Sequence, residues 1–201
     1  ASFFNTNESW ENKVEKGKGW SYGAEFFLQK KYGKTQGWIA YTLSWTNRQF
    51  DGINFGEKYP FKYDNRHTGS IAITHDVDKK WKISAAWVIS TGNAISLASV
   101  RYRSLSNAAL NTNNYYFGTE IETFSKRNGY RTAAYHRLDL SAQRTYKYNW
   151  GEIGLNFSIY NTYSRKNPFY YRFDTDFYGN RVLKRVALFP IIPTMALNFK
   201  F

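Results

Sequence analysis

Apolar residues fall at every second position over most of this chain, the period of a β-strand with one apolar face. Residues 20–30 set Trp20, Tyr22, Ala24, Phe26 and Leu28 against Ser21, Gly23, Glu25, Phe27 and Gln29. Residues 37–47 set Ile39, Tyr41, Leu43 and Trp45 against Trp38, Ala40, Thr42, Ser44 and Thr46. A third strand carries Ile71 and Ile73 against Ser70, Ala72 and Thr74, and a fourth carries Trp81, Ile83, Ala85, Trp87 and Ile89 against Lys82, Ser84, Ala86 and Val88. The fifth sets Leu138, Leu140, Ala142 and Tyr146 against Arg137, Asp139, Ser141, Gln143 and Thr145. The sixth runs from Glu152 to Tyr163, with Ile153, Leu155, Phe157 and Ile159 on one face. The seventh spans residues 182–201 and ends on Met195, Leu197, Phe199 and Phe201 against Thr194, Ala196, Asn198 and Lys200. No helical stripe competes with this alternation.

The links between these strands alternate in length: short KKYGKTQ, long 48–65, short DVDKK, very long 91–135, short KYNWGE, then a medium link. A soluble sandwich has no reason to sort its connections in this way. A transmembrane barrel does, because its periplasmic turns are short and its outer loops long. With Phe201 at the periplasmic end, all three short links fall on that side. The faces opposite the apolar rows are mostly Ser, Thr, Gly, Ala, Asn and Gln rather than Lys and Glu, which suits a wet or protein-filled lumen. An antiparallel all-β transmembrane barrel is therefore the expected fold.

Composition sharpens this. The 201 residues include 17 Tyr, 16 Phe and 7 Trp, too many rings for an average soluble core but suited to two interfacial girdles. Mean hydropathy is −0.62, and no apolar run is long enough for a membrane helix. Trp20, Trp45 and Trp81 sit at strand ends on the apolar face and are expected to anchor at the interface. Trp38 on the polar face and Arg144 on the apolar face depart from the pattern. The net charge of +13 raises nucleic acid as a partner. However, the lysines cluster in turns (Lys30, Lys31, Lys34, Lys79, Lys80) instead of alternating with rings on one strand face, so nucleic acid is not expected.

Little in the chain points to catalysis. Cysteine is absent, so neither a disulfide nor a thiolate metal site is available. His67, His75 and His136 have no metal-site spacing. In YDNRH, Asp64 is expected to pair with Arg66 or His67 and order the loop-to-strand junction; a metal or ligand contact at His67 is the competing reading. His75 is expected to be lumenal or interfacial. Glu25, Asp139 and Glu152 lie on different strands, and such carboxylates are expected to pair with Arg137 or Arg144 rather than to catalyse. No enzyme, metal or cofactor is expected. The candidate ligand contacts are Arg101, Tyr102, Arg103, Tyr115, Tyr116, Phe117 and Arg131, which combine rings for stacking with cations for carboxylate or phosphate. Loop self-packing or contact with lipopolysaccharide phosphates is the alternative for these groups.

The ending TMALNFKF is similar to the closing strand of an outer-membrane barrel, where Leu197, Phe199 and Phe201 would serve as the signal read by the barrel-assembly machinery. Further stretches, GKGWSYGAEFFLQKKYGKTQGWIAYTLSWTNRQF, YPFKYDNRHTGSIAI, KKWKISAAWVISTGNAISL, GLNFSIYNTYSRKNPFYYRF and LKRVALFPIIPTMALNFKF, resemble late barrel strands of TonB-dependent receptors of the Bacteroidetes type. The resemblance leaves out residues 99–134. It implies that residues 1–201 form roughly the last third of a barrel of about 22 strands, with the plug domain and TonB box outside this chain. It also implies import of a scarce or bulky nutrient (siderophore, cobalamin, glycan or peptide class) across the bacterial outer membrane. Partners would be outer-membrane lipid, lipopolysaccharide, TonB through the missing N-terminal part, and a surface lipoprotein as a further candidate. Seven strands cannot close a barrel with both ends in the periplasm. The alternative is a small self-contained barrel with a structural or adhesion role, in which residues 1–18 complete an eighth strand.

Overall fold

The computed structural model describes residues 14–103, 120–124 and 126–201. Regular structure among them is β, apart from one 3-10 turn at Asn54–Gly56. The main sheet is built from β1 (Gly17–Lys30), β2 (Thr35–Phe50), β4 (His67–Asp76), β5 (Trp81–Ser90), β10 (Tyr135–Tyr148), β11 (Gly151–Tyr160) and β14 (Ile192–Lys200), in that order, with the short β3 (Tyr59–Pro60) beside β2. These are the seven strands that the alternation predicts. The resolved pairings are antiparallel, and the sheet is open, with β1 and β14 as its edges.

Contacts divide the chain into two compact units. The larger comprises residues 23–44, 65–92 and 132–201 and holds most of the main sheet. It also holds a separate hairpin of β12 (Pro168–Thr175) and β13 (Arg181–Ala187). The smaller comprises residues 1–22, 45–64 and 93–131. In it β6 (Ala94–Ile95) pairs with β9 (Tyr130–Arg131), and β7 (Ala98–Arg103) pairs with β8 (Glu120–Phe124).

Two expectations need correction. The seventh strand is not continuous over 182–201: its first half is β13, paired only with β12, and β14 starts at Ile192. Between them Phe189 takes φ 54°, a left-handed conformation that no strand continues through, and Pro190 has no amide to donate. Likewise the sixth strand stops at Tyr160, because Asn161 has φ 52°. Pro193 is tolerated within β14 because that strand is an edge.

The tight turn between β4 and β5 is fixed by Asp78, whose Oδ1 accepts the amides of Lys80 at 2.6 Å and Trp81 at 2.7 Å. These amides hold the carboxyl below the ordinary carboxylate range. A lowered folded pKa stabilises fully above the unfolded value of about 4, and that stabilisation is lost as pH falls through the lower folded value. The Trp81 amide resonance is therefore expected to titrate with a midpoint below about 4, and the transition should vanish in Asp78→Asn.

Candidate functional site

The candidate site is the wall itself, because its register sorts side chains into transverse rows of one character. Opposed residues share a face. One row runs Ile73, Ala85, Leu140, Ile159 and Pro193 across β4, β5, β10, β11 and β14. The next row towards the tight turns is His75, Ile83, Ala142, Phe157 and Met195. The intervening row on the opposite face reads Thr74, Ser84, Ser141, Ser158 and Thr194. Its members hydrogen-bond across strands, Thr74 with Ser84 at 3.0 Å and Ser158 with Thr194 at 2.6 Å. One face is thus apolar and the other lined with small hydroxyls.

The apolar face is uncovered. Phe26, Leu28, Ile39, Ile73, Ile83, Leu140, Phe157, Met195, Leu197 and Phe199 are all exposed, Met195 to 74 %. Among the described residues, the buried apolar side chains are only Tyr59, Ala94 and Ala98. No second layer encloses the Leu197–Phe199 row, which would have marked a sandwich. Ten large side chains about half exposed forgo on the order of 10 kcal/mol of burial, comparable with the whole net stability of a domain. Such a face requires an apolar medium or partner against it.

Parity at the C-terminal strand follows the alternation. Leu197 opposes Leu155 and Phe199 opposes Ile153 on the apolar face, whereas Asn198 opposes Gly154 and Lys200 opposes Glu152 on the other. Phe201 is 93 % exposed, its ring 6.1 Å from that of Trp150, which stacks on Tyr148 at 5.4 Å. Trp81 is part-exposed at the same turn end of the sheet. Trp20 is part-exposed, with Lys58 Nζ 5.2 Å above its ring, and Trp45 stacks on Tyr22 at 5.3 Å. The exceptional Trp38 has a partner of its own kind, Phe27, at 6.1 Å on the polar face.

On the polar face, Arg137 knits the ends of β10 and β11. Its Nε donates to Asp139 at 2.9 Å, and its Nη1 donates to the hydroxyls of Tyr135 at 3.0 Å and Tyr160 at 2.7 Å. Asp139 also accepts the amide of Asn161 at 2.9 Å, stabilising the left-handed turn there. Glu152 pairs with Lys147 at 3.1 Å, not with either arginine. The histidines each share a hydrogen bond with a hydroxyl: His67 with Tyr41 at 2.7 Å, His75 with Thr35 at 2.8 Å and His136 with Tyr163 at 2.7 Å. His75 belongs to the apolar row, level with Ile83.

Of the candidate ligand contacts, Tyr115, Tyr116 and Phe117 lie outside the described residues. So do the side chains of Arg101, Tyr102 and Arg103, although their backbone forms β7. Arg131 is placed, and its guanidinium turns inward. It pairs with the carboxylate of Asp64, only 1 % exposed, and Nη1 donates to the Asp64 carbonyl at 2.6 Å. Asp64 Oδ1 also accepts the Thr46 amide at 2.6 Å. Asp64 thus orders this junction as expected, and Arg131, remote in sequence, is one of its partners. Around it Asn128 Nδ2 donates to the Pro60 carbonyl at 2.9 Å, the Asn128 backbone amide donates to Ser96 Oγ at 2.9 Å, and Asn128 Oδ1 accepts from Ser96 Oγ at 3.2 Å. This network ties Thr46, Pro60 and Asp64 to Ser96, Asn128 and Arg131.

The chain matches no family model, no curated protein and no solved structure.

Proposed function

We propose that this chain is part of the barrel wall of a TonB-dependent transporter of the bacterial outer membrane, importing a nutrient too large or too scarce for porins. One observation carries the reading: a sheet with one face of exposed aliphatic and aromatic rows and the other of small hydroxyls, with no layer packed on the apolar side. Lipid on one side and a wet or protein-filled lumen on the other match these two surfaces. The sorting of links supports it. Those at 31–34, 77–80 and 149–150 are short, while those at 51–66, 91–134 and 161–191 are long, and alternate links of an antiparallel sheet leave opposite ends. The resemblance to TonB-dependent receptors supplies the class of transport. Energised uptake would need a plug and TonB box from outside this chain.

In a barrel, the free edges of β1 and β14 would pair with further strands, since an unpaired edge in lipid costs several kcal/mol per backbone group. The coding sequence tests this reading. An upstream frame encoding a plug supports the transporter, whereas a signal peptide immediately before Ala1 supports the small self-contained barrel. Deleting Phe201 is expected to lower the amount of protein assembled in the outer membrane and leave ligand affinity of the assembled fraction unchanged. Normal assembly without Phe201 would remove its assignment as an assembly signal.

A further inference from the structure

Arg144 is the one charge within the outward rows of β10, and its environment is unlike that of the other cations near it. It opposes Trp81 on one side and Leu155 on the other, with Leu197 beyond. Its guanidinium lies 5.3 Å from the Trp81 ring centre and 4.8 Å from that of Tyr146. Its Nε is enclosed yet makes no hydrogen bond, and among the described residues no carboxylate lies within ion-pair distance of the side chain. By contrast, Arg137 has Asp139, Lys147 has Glu152, and Lys82 has Asp76 at 3.4 Å. The adjacent carboxylate, Asp78, is engaged by the amides of its own turn. The same turn carries Lys79 and Lys80, both exposed. The Lys80 carbonyl accepts the Thr145 amide at 2.8 Å, which fixes this turn beside Arg144.

A cation held by two rings at the margin of an apolar face, with no carboxylate paired to it, suits an external oxyanion at the outer end of its guanidinium. We propose that Arg144, with Trp81, Tyr146 and the Lys79–Lys80 turn, binds the phosphate of an anionic phospholipid headgroup. The acyl chains would lie along Leu155, Leu197 and their row, so headgroup and tail meet matching surfaces on one stretch of wall. Arg144 supplies bidentate donors to the phosphate, and the two lysines favour a lipid of net negative charge over a zwitterionic one. This inference rests on the reading of the apolar face as lipid-facing.

The full-length protein carrying this chain is reconstituted into vesicles of phosphatidylcholine alone or mixed with phosphatidylglycerol, extracted, and its retained lipids quantified. The wild type is expected to retain phosphatidylglycerol over phosphatidylcholine about tenfold, the factor of one charge-assisted contact. Arg144→Gln should lose that preference and Arg144→Lys should recover part of it. Should Arg144→Gln fail to insert, Lys79→Gln/Lys80→Gln decides, with a reduced preference expected. Equal retention of the two lipids by the wild type, or an unchanged preference in the inserted variants, overturns the site while leaving the lipid-facing reading intact. Failure of the wild type to enter either vesicle overturns that reading itself.

Discussion

Replacing Leu140 with arginine is expected to nearly abolish assembled protein in the outer-membrane fraction, whereas the same substitution at the neighbouring Ser141 should leave most of it. Leu140 sits mid-wall on the apolar face between Ala85 and Ile159. If the apolar face meets lipid as proposed, an arginine there would face hydrocarbon near the bilayer centre, at a cost of about 2–4 kcal/mol. Ser141 lies one residue along, between Ser84 and Ser158, on the face of small hydroxyls. A charge there remains hydrated. The pair differs by one position and by nothing else in the local backbone, so strand propensity cannot account for a difference between them. Equal loss at both positions would indicate a wall buried on both faces.

The second large effect is expected at Asp64. Its carboxylate is 1 % exposed and satisfies the Thr46 amide and the Arg131 guanidinium at once. Asp64→Ala leaves the Thr46 amide without this acceptor and takes away the carboxylate paired with Arg131, and removing one partner of a buried pair costs about 3–5 kcal/mol. The lower end applies, because the Arg131 side chain keeps 36 % of its surface in water. The expected readout is rapid proteolytic cleavage within residues 51–64, with the wall strands still protected. The double variant Asp64→Asn/Arg131→Gln should be milder than the sum of its single changes, since neither then leaves an unpaired charge. Additive effects would mean that the pair is not coupled.

The wall was legible in the sequence because a period of two is local information. Each strand declares its own face, and the register then carries Ile73, Ala85, Leu140 and Ile159 into one row. What failed to show was set by single backbone angles or by distant partners. Residues 182–201 read as one strand, and the left-handed Phe189 before Pro190 divides it; Pro190 was the available sign. Arg131 read as a free cation on a polar loop because its partner lies 67 residues earlier in the chain. The ordering role of Asp64 was legible from YDNRH, but the same distance hid Arg131 as its partner. Arg144 was visible as an exception to the apolar face, but its enclosure between Trp81 and Tyr146 depends on the pairing of β5 with β10. Trp38 was an exception for a similar reason, resolved by the ring of Phe27 on the neighbouring strand.

Cysteine is absent from these 201 residues, so once any cysteine elsewhere in the full-length protein is replaced, the central claim can be measured residue by residue. Single cysteines placed at Leu138, Asp139, Leu140, Ser141, Ala142 and Gln143 of the full-length protein in vesicles are labelled with a fluorophore. They are then challenged with a quencher dissolved in the bilayer and with one dissolved in water. A wall between lipid and lumen predicts strong lipid quenching at positions 138, 140 and 142, and quenching from water at 139, 141 and 143. The same quenching at all six positions, or protection of positions 138, 140 and 142 from the bilayer quencher, would contradict it.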